Sequence, residues 1–244
     1  DGVVVAAMTN NEGAKSGEAD LKQLAGLAGT LTKFHCRTFW TRTRADSVDD
    51  ALLAQWAALD APRRIENARY LSRPGVFAWD RIDPASALLV ECLPTDITGH
   101  GADLGAGWGF LSLSLLARNP GITALDLYEA EARALSLARA NLADAGASAT
   151  LDFHWHDVTA GLPQRYDFIV SNPPFHTQSR ADRPDIGQRF ITAAAAALKP
   201  GGRLWLVANR HLPYEQTLND QFGEVRVAGE RDGFKVIAAV KARR

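Results

Sequence analysis

Asn172 stands before two prolines and an aromatic ring, in Ser171-Asn172-Pro173-Pro174-Phe175-His176, directly after the apolar run Asp167–Val170. The prolines remove two backbone donors, so neither a ladder nor a helix continues through them. The residue before a proline is held extended, which fixes how Asn172 projects from the end of a buried strand. Asn-Pro also opens ordinary turns, so the dipeptide alone is not diagnostic. An amide oxygen and the Pro173 carbonyl at this place can accept both hydrogens of a planar exocyclic amine. That turns the nitrogen lone pair toward an incoming methyl group and stabilises the positive charge that grows on nitrogen. The double proline keeps the carbonyl aimed, and Phe175 can stack on the planar partner. No strong general base is needed. The chemistry implied is a clamp for a planar amino group.

A second constellation lies upstream. Ala102–Phe110 reads ADLGAGWGF, with Asp103, Gly105, Gly107 and Gly109 at alternate positions. Such glycines let the backbone turn sharply and approach a ligand with no Cβ in the way. A dinucleotide fingerprint would need glycine at 110, where Phe110 stands, and no Gly-Lys-Ser/Thr follows to make a P-loop. A carboxylate beside open backbone amides suits a ligand with a positive amino group and a neutral nucleoside, and S-adenosylmethionine is such a ligand. A ribose-binding acid is expected at the end of the next strand. Asp126 lies inside ITALDLY and Glu129 closes it, and its position favours Glu129. Asp157, ending FHWHD, is placed to accept from an adenine amino group. His154 and His156 lack a supporting carboxylate or cysteine spacing; they read as alternate faces of one strand, and no metal is expected.

The elements that must hold these residues alternate. From Gly101 the pattern is strand, glycine loop, helix, repeated: strands over Ala102–Leu104, Ile122–Tyr128, Thr150–Trp155, Tyr166–Val170 and Arg203–Ala208. Helices are predicted over Phe110–Arg118, Ala130–Ala145 and Ile186–Leu198. This is the pattern of an α/β fold, a doubly wound and mostly parallel sheet. It ends differently, with Val225–Gly229 and Phe234–Val240 flanking Asp232-Gly233, an antiparallel β-hairpin. Near the start, DGVVVAAMTNN resembles GGRLWLVANRH, and a helix and an apolar stretch follow each. Residues 1–44 thus read either as the tail of a preceding copy of the same fold or as an unrelated N-terminal cap. Residues 45–72 are a linker region with a helix over Ser47–Asn67, and 73–244 carry the chemistry.

With 244 residues, 46% of them hydrophobic, the chain can bury a large core. Two cysteines are too few for a disulfide framework, which points to a reducing, cytoplasmic setting. No apolar run approaches the ~18 residues of a membrane span. The net charge of −1 argues against indiscriminate nucleic-acid binding but leaves local basic surfaces. Arg63, Arg64, Arg69 and Arg73 form one; Arg180, Arg183 and Arg189 follow the clamp and form another. The chain opens on Asp1 rather than Met, as expected of a fragment or processed product.

Taken together, DLGAGWG, Glu129, SNPPFH, VANRHLPYEQTL and the closing GFKVIAAV resemble the class I S-adenosylmethionine-dependent methyltransferases. More narrowly they are similar to the bacterial ribosomal RNA guanine-N2 methyltransferases of the RsmC and RlmG type, from about Arg73 to the C-terminus. The resemblance implies a Rossmann-like fold, S-adenosyl-L-methionine as cofactor, and ribosomal RNA or the small ribosomal subunit as partner of a monomeric enzyme. It implies Asn172, Pro173 and Phe175 as catalytic residues, and Pro174, Phe175, His176 and Arg180 against the substrate. Asp103, Gly105, Gly107, Gly109, Glu129, Asp157 and Asn172 would hold the cofactor. Within Pro74–Val90, Phe77 and Asp83 would help shape the pocket. That family carries two methyltransferase-like halves in tandem, which fits the repeat in residues 1–44. The acid after its second strand is commonly Asp, so Asp126 stays an alternative to Glu129. Adenine N6, a protein glutamine amide, or a non-catalytic RNA-binding scaffold are the rival readings.

Overall fold

The computed structural model describes residues 2–44, 46–144, 149–174 and 184–243. They fall into two compact units, 1–61 and 62–244. In the first, β1 (Gly2–Thr9), α1 (Ala14–Ala25), β2 (Gly29–Lys33), β3 (Cys36–Thr43) and α2 (Asp50–Asp60) follow one another. The strands form an antiparallel sheet in the order β1-β3-β2. Asp49 caps α2 by accepting from the Leu52 N–H at 2.9 Å. The helix stops at Asp60 rather than Asn67, because Pro62 has no N–H to extend it and forces Ala61 out of helical geometry.

The second unit starts with a short hairpin, β4 (Arg63–Ile65) and β5 (Tyr70–Ser72), where the sequence suggested continuing helix. There follow α3 (Pro84–Cys92), β6 (Gly99–Leu104), α4 (Phe110–Arg118), β7 (Ile122–Glu129), α5 (Ala132–Asn141) and β8 (Thr150–Trp155). A single 3-10 turn, Val158–Ala160, leads to β9 (Tyr166–Ser171), α6 (Pro184–Ala197) and β10 (Leu198–Asn209). The unit closes with α7 (Glu215–Gln221), β11 (Glu224–Arg231) and β12 (Phe234–Val240). One seven-stranded sheet runs β11-β12-β10-β9-β6-β7-β8. Strands β6 to β10 pair in parallel; β12 is antiparallel to both its neighbours, the hairpin expected from Asp232-Gly233.

Alternation sends successive side chains to opposite faces. In β10, Leu204 and Leu206 join one buried cluster while Trp205 and Val207 join the other. A strand buried on both faces reads as a continuous apolar run, as Phe168–Val170 and Leu204–Ala208 do. From β6 the chain winds outward through β7 and β8, whereas β9 and β10 lie on its other side. The loops leaving β6 and β9 therefore diverge and open a crevice at the strands' carboxyl ends. Among the described residues, no helix is long and apolar enough to cross a membrane.

Candidate active site

The crevice is lined by the β6–α4 glycine loop, by Phe77, Asp83 and Ser86 around the start of α3, and by Asn172 after β9. The loop is anchored by Gly105 and Ala106, whose N–H groups donate to the Tyr128 carbonyl at 2.9 and 3.0 Å. Gly107 adopts φ +55° with open space where a Cβ would project. Its backbone can therefore meet a ligand directly. Gly109 serves packing instead: at φ +94° a Cβ there would lie 2.7 Å from the Leu142 side chain. The loop is also held from behind. Asn141 accepts from the Leu71 N–H (2.7 Å) and donates to the carbonyls of Leu71 (2.8 Å) and Trp108 (2.9 Å).

Glu129 ends β7 beside this loop, one carboxylate oxygen accepting from the Gly107 N–H at 2.7 Å and the other from the Glu131 N–H at 2.8 Å. Asp126 faces elsewhere. It is buried, accepts from the Tyr166 hydroxyl at 2.7 Å, and pairs with His100 at 3.0 Å. Asp103 lies fully buried behind the glycine loop. One of its oxygens accepts from the Ser112 hydroxyl at 2.7 Å, and among the described residues the other has no partner. Burial pushes its carboxyl up to about 7; the Ser112 bond works against that rise and the Glu129 charge adds to it.

At the end of β9 the Ser171 hydroxyl donates to the Leu104 carbonyl at 2.7 Å, tying the strand tip to β6. Next to it the Asn172 amide nitrogen donates to Asp83 (2.9 Å) and to the Ser86 hydroxyl (2.8 Å). Among the described residues the Asn172 amide oxygen, itself buried, has no hydrogen-bond partner. Pro173 is buried and Pro174 exposed. Phe175, His176, Arg180 and Arg183 lie outside the described residues.

Other expected site residues stand apart from the crevice lining. Asp157 is exposed and caps the 3-10 turn, accepting from the Thr159 N–H (2.8 Å) and hydroxyl (2.7 Å). Those bonds hold its carboxyl below the usual range. His154 and His156 do not lie on alternate faces: residues two apart share a face of a strand. Both meet the Tyr128 ring, His154 stacked at 4.5 Å and His156 edge-on at 5.6 Å. A carboxylate is close after all, since Asp126, Asp152 and His154 bring ligand-type atoms within 4.8 Å of one another. Asp126 already has its protein partners there. Ser112, Asn141 and Ser86 carry no sequence signal of their own; only the fold brings them to the loop and the amide.

Residues 67–238 match the family model described as the methyltransferase small domain. A ribosomal RNA small subunit methyltransferase C from Alcanivorax borkumensis is 38% identical over 173 residues, 70% of this chain and 51% of its own length. Its counterpart from Chromohalobacter salexigens is 36% identical over 233 residues, covering 92% of this chain and 66% of its own. The chain thus spans about half to two thirds of these relatives. A solved Thermus thermophilus 16S rRNA guanine-N2 methyltransferase, RsmC, in complex with AdoMet and guanosine, superposes with TM-score 0.77 at 27% identity. The superposition covers 98% of this chain and 65% of that one, and the class I methyltransferase fold is common to both. With its family model matched over most of its length, the chain belongs to the methyltransferase small domain family.

Proposed function

We propose that this chain transfers a methyl group from S-adenosylmethionine to the exocyclic N2 amine of a guanine in small-subunit ribosomal RNA. The observation that carries the reading is the Asn172 amide oxygen, buried without a partner in the crevice beside a glycine loop. A buried acceptor left unpaired in a native protein calls for an explanation, and a ligand N–H supplies one. The names of the relatives support the RNA substrate, and the Thermus thermophilus complex supports the nucleoside pair.

The residues present fit the cofactor. Gly107 offers backbone with free space beyond it, Glu129 offers a carboxylate at the strand end for ribose hydroxyls, and Asp103 keeps an unpaired oxygen for a cationic neighbour. S-adenosylmethionine supplies an electrophilic methyl on a sulfonium. The chain's part is to orient the acceptor amine. Asn172 accepts one amine hydrogen, and the Pro173 carbonyl is the second acceptor in this reading. The amine nitrogen forms the bond to the methyl carbon while the carbon–sulfur electron pair stays on sulfur, and the surplus proton leaves nitrogen for solvent. Arg189, exposed on α6, is read with Arg180 and Arg183 as a phosphate contact. Residues 1–44 are read as the closing strands of a second methyltransferase-like sheet, which the matching order of elements supports.

The test is to incubate the protein with tritiated-methyl cofactor and unmodified small-subunit RNA or subunits, then digest to nucleosides. Label is expected in N2-methylguanosine. Label in N6-methyladenosine or in a protein glutamine overturns the substrate.

A further inference from the structure

We infer that Asp83 is a positioning residue that fixes the polarity of the Asn172 amide, so that oxygen and not nitrogen meets the substrate amine. The inference rests on the methylation reading above. An asparagine amide has an acceptor end and a donor end of nearly the same shape. Half a turn about its last torsion would present the NH2 group to the substrate, donor against donor, and the clamp would repel what it must hold. The choice is set by what the buried end touches.

Two groups touch it. The Ser86 hydroxyl, 2.8 Å away, can donate or accept, so it tolerates either orientation. Asp83 cannot. Its carboxylate has only lone pairs, and Asn172 Nδ2 donates to its Oδ2 at 2.9 Å. Turning the amide would set oxygen against oxygen and lose a charge-assisted bond. Asp83 is itself immobilised as the N-cap of α3, the same Oδ2 accepting from the Ser86 N–H at 2.8 Å, with Pro84 opening the helix. A helix cap 89 residues upstream thus decides which end of the amide faces the crevice. The unpaired buried Oδ1 is the consequence.

Asp83→Ser tests this, since Ser caps helices as well as Asp. Its hydroxyl can donate or accept and carries no charge, so the preference at Asn172 is lost. We expect kcat for methyl transfer to fall on the order of 10–100-fold, with cofactor Kd and RNA KM within about twofold of wild type. In the Asn172→Ala background the same substitution should add less than about twofold, because its effect passes through Asn172. Effects that multiply in the double variant overturn the inference. A readout without turnover separates it from the substrate reading. The Asn172 side-chain amide, assigned in nitrogen-15 spectra by its loss in Asn172→Ala, should exchange slowly in wild type and quickly in Asp83→Ser. Equal exchange in both overturns the role of Asp83 whatever the substrate. A wild-type protein that methylates no guanine counts against the substrate instead.

Discussion

The stretches β1–α1–β2–β3 and β10–α7–β11–β12 fold the same series of elements: strand, helix, hairpin. In each sheet the last strand lies between the other two, β1-β3-β2 in one and β10-β12-β11 in the other. Their burial is opposite. Val3 and Val5 of β1 are 62% and 63% exposed, whereas Leu204, Leu206 and Val207 of β10 are at most 1% exposed. Within their own units, and among the described residues, β10 pairs on both sides, with β9 and β12, while β1 pairs with β3 alone. Local pattern sets the order of elements; burial depends on what the rest of the unit lays beside and over them. The crevice belongs to the fuller unit, where the loops after β6 and β9 diverge.

The largest effect expected from this contrast is on stability. Leu204 packs in the core between β9 and β12, opposite Ile169 and Ala239. Leu204→Ala should cost ~2–5 kcal/mol, through lost transfer energy and the cavity left behind. Val4 holds the matching place in β1 and is 43% exposed, so Val4→Ala should cost less than ~1 kcal/mol. Urea titrations of both variants compare them directly. Equal shifts in midpoint would mean that β1 is covered as fully as β10.

Much of the second unit was legible because its signals are local. Strand positions, the glycine loop and the Asp232-Gly233 hairpin all follow from short windows of sequence, and so does the end of β9 at the double proline. Strand lengths do not: β6 and β10 run well beyond the expected Ala102–Leu104 and Arg203–Ala208. The site's supports were not. Asp83 meets Asn172 across 89 residues, Asn141 meets Leu71 across 70, and Ser112 is an unremarked serine in an apolar helix. Such contacts depend on how helices pack against the sheet, which periodicity does not encode. The helix expected over Ser47–Asn67 ends at Asp60 for a local reason, since apolar spacing continues past Pro62 and helical hydrogen bonding does not. The His154 and His156 reading failed on strand geometry itself.

Charge burial gives the next contrast. β1 leaves valines in water, yet β6 buries a carboxylate completely. With Asp103 raised by burial from 3.8 to about 7, the folded chain binds more protons than the unfolded chain between those values. Its contribution to stability is therefore full below about 4 and is lost as pH rises through about 7. A cationic ligand beside Asp103 favours the ionised form. Cofactor affinity should then rise up to about tenfold per pH unit below 7 and level off above it, with a proton released on binding. Calorimetry at pH 6 in two buffers of different ionisation enthalpy reads that proton. Asp103→Asn should flatten both dependences; wild-type affinity constant from pH 6 to 8 would remove Asp103 from the cofactor's surroundings.

The smallest effect concerns the two hairpin turns. Asp232 and Gly233 both take positive φ, 52° and 82°, the geometry that a two-residue hairpin turn needs to match strand twist. Phe34 and His35 take the same conformation, at 52° and 59°, without a residue suited to it. Each carries a Cβ close to a carbonyl oxygen, at a cost on the order of 1 kcal/mol. Phe34 is 82% exposed, so replacing it uncovers no core. The loss is the Lys33 ammonium over its ring at 4.9 Å, worth ~0.5 kcal/mol at an exposed site. Changing Phe34-His35 to Asn-Gly should therefore stabilise β2 and β3 by a net ~1 kcal/mol, about fivefold in opening equilibrium. Amide hydrogen exchange along the hydrogen-bonded Lys33–Cys36 and Leu31–Thr38 pairs measures it. Unchanged protection there would mean that the first unit's hairpin is held by its flanking strands, and that turn chemistry matters only where, as at Asp232-Gly233, the sequence already supplies it.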